Sequence, residues 1–159
     1  VIDMGYSIQI GNAELELNPK ELRAEYTVNQ VKNEDAVHIE NDDTDKSNSR
    51  SPSYTVFSDW MHEVKLYDLF KNEETGIMRE HPGIFPLTSA HLSEVRLAIE
   101  KYTTKHPGVK PGFWLEDPTD WTKVVEDPTL SPSLARLVWF EYWIDWALKN
   151  CELPAIENY

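Results

Sequence analysis

Polar and apolar residues alternate over residues 6–10 and again over 13–17, with Gly11-Asn12 between the two runs. A period of two puts alternate side chains on one face of a strand, and Gly-Asn accepts the positive φ of a tight turn, so the pattern predicts a β-hairpin. Tyr26 and Val28 share a face in a third strand expected over residues 24–31, and a fourth is expected near Val37-His38-Ile39. Residues 34–46 are polar and acidic, which predicts a mobile loop, and residues 1–4 are expected to be poorly ordered.

Beyond residue 50 the period lengthens. Val56, Phe57, Trp60, Met61, Val64, Tyr67 and Phe70 recur at three and four residues, which predicts one helix over residues 54–71 with Ser53 as its N-cap. Thr88 is placed to cap a second helix ending near His106, where Pro107-Gly108 stops it. Asp117-Pro118 predicts a short helical turn around residues 121–125. Ser131-Pro132 supplies a cap and a first-turn proline for a last helix over residues 133–150. Its Leu134, Leu137, Trp139, Phe140, Trp143, Ile144 and Ala147 point in nearly every direction, so it should be buried on most sides, with Trp143 in the core. The sum is an α+β fold in which an N-terminal antiparallel hairpin or small sheet packs on three main helices.

A chain of 159 residues suits a single domain, and 40% hydrophobic residues with six tryptophans exclude a disordered tail. No apolar run approaches the roughly 18 residues of a membrane span and no basic-then-apolar leader opens the sequence, so a cytoplasmic protein without a membrane partner is expected. The lone Cys151 rules out an internal disulfide. His62, His81, His91 and His106 lack metal-ligand spacing, His62-Glu63 lacks the second histidine of a zinc helix, and Asn41-Asp42-Asp43 lacks the register of a calcium loop. No metal or cofactor is expected. With no Walker loop and no nucleophile elbow, the chain is not expected to be an enzyme and offers no catalytic residues.

Charge changes this picture through its distribution. The total is −13; residues 1–46 hold four Lys/Arg against eleven Asp/Glu, residues 47–110 eight against eight, and residues 111–159 three against nine. The acidic ends repel nucleic acid, whereas a small anion reaching the neutral middle meets mainly local fields, because charges beyond about 8 Å are screened.

The middle segment also carries the candidate chemistry. Ser47, Asn48, Ser49, Arg50, Ser51 and Ser53 run directly into a helix start, and hydroxyls, a guanidinium and free helix N–H groups are what hold a phosphate or carboxylate. Asn48 could read a base, Tyr54 and Trp60 could stack one, and Arg79 and His81 in the loop Arg79-Glu80-His81-Pro82-Gly83 offer a second cation and a titratable ring. The same serines could instead cap and turn the chain.

Gly5-Tyr6-Ser7-Ile8-Gln9-Ile10-Gly11-Asn12-Ala13, Ser47-Asn48-Ser49-Arg50-Ser51-Pro52-Ser53-Tyr54, Arg79-Glu80-His81-Pro82-Gly83, Ser133-Leu134-Ala135-Arg136-Leu137 and Trp146-Ala147-Leu148-Lys149-Asn150-Cys151 together resemble a family of small uncharacterised proteins of bacteriophages and prophages. The resemblance implies a viral origin, the host cytoplasm as the place of action, and an anti-defence role by analogy with other small phage proteins. The expected function is sequestration, without turnover, of a small anionic nucleotide signal of host immunity. The alternative is direct inhibition of a host defence protein through an acidic, nucleic-acid-mimicking surface or through aromatic residues such as Phe113-Trp114-Leu115 or Trp121. A homo-oligomer paired through an exposed strand or that aromatic segment is compatible with either.

Overall fold

Gly11-Asn12 does not turn the chain. In the computed structural model, which describes residues 4–18, 20, 23–36 and 46–159, strand β1 (Ile8–Asn18) continues through this pair. It pairs antiparallel with β2 (Arg23–Val28), from Ala13 opposite Val28 to Asn18 opposite Arg23. The two runs expected to face each other thus lie in one strand, and the observed hairpin pairs that strand with residues 23–28, its connection falling between Asn18 and Arg23. Gly11 serves a close approach instead: a Cβ there would stand 3.2 Å from Val28 Cγ1 and 3.3 Å from Asn48 Nδ2. The expected strand near Val37-His38-Ile39, most of the acidic segment and residues 1–3 lie outside the described residues. Of the first four residues Met4 is described, and its carbonyl accepts the Tyr54 N–H at 3.1 Å.

Two short strands, β3 (Ser49–Arg50) and β4 (Gly83–Pro86), join the sheet from the middle of the chain. Outside it, β5 (Lys110–Pro111) pairs with β8 (Leu130–Ser131) in parallel, and β6 (Leu115–Asp117) forms an antiparallel hairpin with β7 (Asp120–Val125). The last strand, β9 (Pro154–Asn158), lies between β1 and β4, so the main sheet runs β2-β1-β9-β4 with β3 added to β1. One row across this sheet reads Arg50, Ile8, Asn158, Gly83, bringing residues from four distant parts of the chain to one level.

The hairpin over residues 115–125 replaces the expected helical turn. Asp117 was placed to start a helix, but its carboxylate accepts from Thr119 N–H at 2.8 Å and Thr119 O–H at 2.7 Å, closing an Asx turn. Thr122, Val124 and Val125 are β-branched and prefer the strand that follows. Asp127-Pro128-Thr129 repeats the device, with Asp127 accepting from Thr129 N–H and O–H at 2.9 and 2.6 Å.

The helix expected over residues 54–71 is two helices, α1 (Tyr54–Glu63) and α2 (Tyr67–Lys71). Lys65 takes a φ of 58°, Leu66 N–H donates to Met61 O at 2.9 Å and Lys65 N–H to His62 O at 3.3 Å. That pair of bonds is a Schellman stop, and Leu66 and Met61 are both buried beneath it. Lysine at the left-handed position, where glycine is usual, hides the stop from the sequence.

The remaining helix signals agree with the structure. Ser53 Oγ accepts from Val56 N–H, Thr88 caps α3 (Ser89–Lys105), and Ser131 Oγ accepts from Leu134 N–H at the start of α4 (Pro132–Asn150). Helix α4 is the centre of the core, with Leu137, Phe140, Trp143, Ile144 and Ala147 fully buried against Ile8, Ile10 and Ile156 of the sheet and Phe57, Trp60 and Phe70 of the first two helices. The fold is therefore α+β, an antiparallel sheet packed on three main helices and the short α2.

Candidate functional site

The segment 47–54 enters the fold as a buried strand and leaves it as a helix cap. Asn48 is fully buried; its Nδ2 donates to Ile10 O at 2.7 Å and Asn29 O at 3.0 Å, while its Oδ1 accepts from Val31 N–H at 2.7 Å. Ser47 is buried, its carbonyl accepting the Trp139 indole N–H at 3.4 Å, and Ser49 Oγ donates to Gln9 Oε1 at 2.8 Å. Arg50 is buried with its guanidinium 5.5 Å from the centre of the Trp139 ring. Ser51 is exposed, and Ser53 caps α1. Trp60, 1% exposed, stacks on Phe140 and donates its indole N–H to Ser133 O at 3.1 Å, so it presents no face to a ligand.

Tyr54, by contrast, meets the second predicted loop. Its Oη lies 3.0 Å from His81 Nε2, and His81 Nδ1 lies 2.7 Å from Asn158 Oδ1. The tautomer follows from the third group. Asn158 is fully buried, and its Nδ2 donates to two carbonyls, Glu80 O at 3.1 Å and Gly83 O at 3.4 Å. Carbonyls only accept, so the amide oxygen must face His81, Nδ1 must carry the proton, and Nε2 accepts from Tyr54. Arg79 is exposed and turned aside, its guanidinium 4.4 Å from the Phe85 ring centre and bonded to Gly76 O at 3.2 Å.

Two residues outside the predicted set complete the cluster. Tyr6 packs edge-on against Tyr54 and His81, each with ring centres 4.8 Å apart. Lys71 Nζ donates to Tyr6 Oη at 2.6 Å and to Met78 O at 3.2 Å. Gly5 makes this approach possible: a Cβ there would fall 2.2 Å from Pro52 O, and Tyr6 N–H donates to that carbonyl at 3.0 Å. The junction thus holds two phenols, Tyr6 accepting from the Lys71 ammonium and Tyr54 donating to the His81 imidazole. A phenol accepting from an ammonium or imidazolium keeps its own O–H free to donate outward, more strongly for the cation behind it. The arrangement suits an anion. Tyr6 and Lys71 were missed because each reads as an ordinary amphipathic position, and Asn158 because the last strand carries almost no signal.

A separate cleft of about 890 Å³ lies beside the start of α4, lined by residues of α1, α3, α4 and the stretch from Val109 to Leu130. Phe113, Trp114, Tyr102 and His106 give it aromatic walls, and Glu63, Glu126, Asp127 and Arg136 its charge. The guanidinium of Arg136 lies 5.2 Å from the Phe113 ring centre, and Tyr102 Oη pairs with Ser131 Oγ at 2.7 Å. Hydrogen bonds from the Thr129 side chain and backbone hold the Asp127 carboxyl below its usual range.

Elsewhere, burial pushes the Cys151 thiol up, the opposite of what a nucleophile needs. Among the described residues no group of three His, Cys, Asp or Glu side chains is placed to hold a metal ion, and no helix is long and apolar enough to cross a membrane. Compared with known proteins, the chain matches no family model, and searches of curated proteins and of solved structures gave no match.

Proposed function

We propose that this protein binds a small anionic ligand at the junction of residues 47–54 with the loop 79–83 and releases it unchanged. The observation that carries the reading is the pair of nitrogen-backed phenols, Lys71–Tyr6 and His81–Tyr54, with Asn158 fixing the imidazole. Lys71 donates to Tyr6 Oη and leaves the Tyr6 O–H to face the anion, while His81 Nε2 accepts from the Tyr54 O–H and holds that ring beside it. A nucleotide is the ligand class expected from the sequence, and in the setting of the phage family that the chain resembles it is a signal of host immunity withdrawn by sequestration.

Arg50 is a poor probe of this reading, because removing a buried guanidinium disturbs the sheet whatever the ligand does. The test uses the exposed His81 and the half-buried phenols. Native mass spectrometry after incubation with linear and cyclic nucleotides should show an adduct on the wild type, lost from His81→Ala and from a Tyr6→Phe, Tyr54→Phe double variant, with the nucleotide recovered intact on heating. An adduct indifferent to these substitutions, or none at all, overturns the reading.

A second reading rests on a different observation. The β6–β7 hairpin exposes Leu115, Trp121, Val124 and Val125, Trp121 by 81%, and such a run on a two-stranded hairpin fits a protein partner. Loss of a host partner on Trp121→Ala, with nucleotide binding unchanged, would favour direct inhibition.

A further inference from the structure

We propose that the cleft at the start of α4 is a second binding site, taking a planar aromatic ligand that carries positive charge. Its volume of about 890 Å³ falls within the roughly 300–1,000 Å³ of small-molecule sites. Two features select the ligand. The lining includes the rings of Phe113, Trp114 and His106, an aromatic content that favours a flat partner, and aromatic rings attract cations through their quadrupole. The Arg136 guanidinium over Phe113 is an example of that contact within the protein itself.

Charge supplies the second selection. Three carboxylates, Glu63, Glu126 and Asp127, face one guanidinium, so the lining is net negative before any contribution from His106. Glu63 accepts the Ser133 O–H at 2.7 Å and Asp127 is bonded twice by Thr129, which fixes both carboxylates at the rim while leaving each further lone pairs for a donor. An anion entering here meets this excess at short range, where screening is weakest. The cleft shares no residue with the Tyr54–His81 junction, and the two sites want ligands of opposite sign, so failure of one reading leaves the other standing.

The test is calorimetric titration of the full chain, at physiological ionic strength, with three probes: 9-aminoacridine as a planar cation, anthracene-9-carboxylate as a planar anion, and tetramethylammonium as a cation without a ring. One 9-aminoacridine per chain should bind, with the other two far weaker. Trp114→Ala should weaken it about tenfold, one stacking and cation–π contact's worth. Because Trp114 also donates to Asp127 O at 3.3 Å, its loss could loosen the segment, so Glu126→Gln on an exposed side chain provides the independent arm and should weaken the cation several-fold. Equal binding of the planar anion, or cation binding unmoved by both substitutions, overturns the proposal and assigns the attraction to the diffuse acidic surface.

Discussion

The junction around His81 and the cleft beside α4 are built by opposite means. At the junction, Tyr6, Tyr54, Lys71, His81 and Asn158 come from separate elements, and hydrogen bonds to buried partners hold them in one register. At the cleft, most of the lining comes from residues 102–136, shaped by local Asx turns and ring contacts with little buried polar bonding. The first arrangement sets a phenol backed by the Lys71 ammonium beside a phenol bonded to an imidazole, and the second sets aromatic residues among three carboxylates and one guanidinium. The anion site we propose in a chain of net charge −13 relies on donors fixed by geometry, with most of the acidic excess in the segments before residue 47 and after residue 110.

The comparison breaks most severely at Trp143, which lies in the helix beneath both regions. Trp143→Ala should cost about 3–5 kcal/mol, the range for emptying a buried aromatic site, and urea unfolding should abolish both regions in one transition. Two separated transitions would mean that the cleft segment folds as its own unit. Trp143→Phe sharpens the point. The indole Nε1 is buried with no hydrogen-bond partner among the described residues, so phenylalanine removes an unsatisfied donor and should cost much less than alanine.

How far the two regions were legible in the sequence follows from the same difference. Capping residues announce themselves locally, so Ser53, Thr88 and Ser131 were found, as was the periodic burial of α4. The segments 47–54 and 79–83 stood out by composition, and the fold brings Tyr54 and His81 into contact, yet it uses Asn48 and Trp60 as interior fasteners. Nothing local distinguishes a buried asparagine that ties three backbone groups from one that reads a base. The strand Pro154–Asn158 was invisible because five residues opened by a proline carry too little alternation. With it went Asn158, which sets the His81 tautomer. Asp117-Pro118 misled because the carboxylate that would have started a helix is spent on Thr119.

A smaller break comes at Asn158. Its substitution by alanine leaves the Glu80 and Gly83 carbonyls and the His81 N–H without their partner, and should cost roughly 2–3 kcal/mol. The specific readout is the imidazole itself: nitrogen chemical shifts should report His81 protonated at Nδ1 in the wild type and a mixture of tautomers in the variant. An unchanged tautomer would remove Asn158 from the junction's chemistry, while the cleft's affinity for a planar cation should not move in either case.

On the cleft side the expected effect on stability is close to zero. Trp121 is 81% exposed, and Trp121→Ala should shift unfolding by no more than about 0.5 kcal/mol. A cost well above that would mean that the hairpin packs on a surface of this chain or of a second copy, and sedimentation of the variant beside the wild type separates those two.

The finest test uses the helix that connects the two regions. Helix α3, capped by Thr88, follows β4 of the junction side in the chain, and its far end supplies Tyr102 to the cleft. At its start Thr88 N–H donates to His91 Nδ1 at 2.9 Å, a reciprocal cap that needs the imidazole neutral. Burial holds His91 below its usual 6.5, partly offset by the nearby Glu94 carboxylate. A histidine with a depressed folded pKa contributes stability that is complete above about 6.5, the unfolded value, and is lost as pH falls through the folded one. Thermal midpoints should therefore decline slightly on acidification from pH 7.5 towards 5, and His91→Gln, which keeps an acceptor for Thr88, should flatten that part of the decline. If the slope survives in the variant, the acid sensitivity belongs to other groups. Asp117, Asp120 and Asp127 do not supply that slope: hydrogen bonds from Thr119, Thr122 and Thr129 hold them ionised, so their contribution is lost only at and below the ordinary carboxylate range, outside the interval from pH 7.5 to 5.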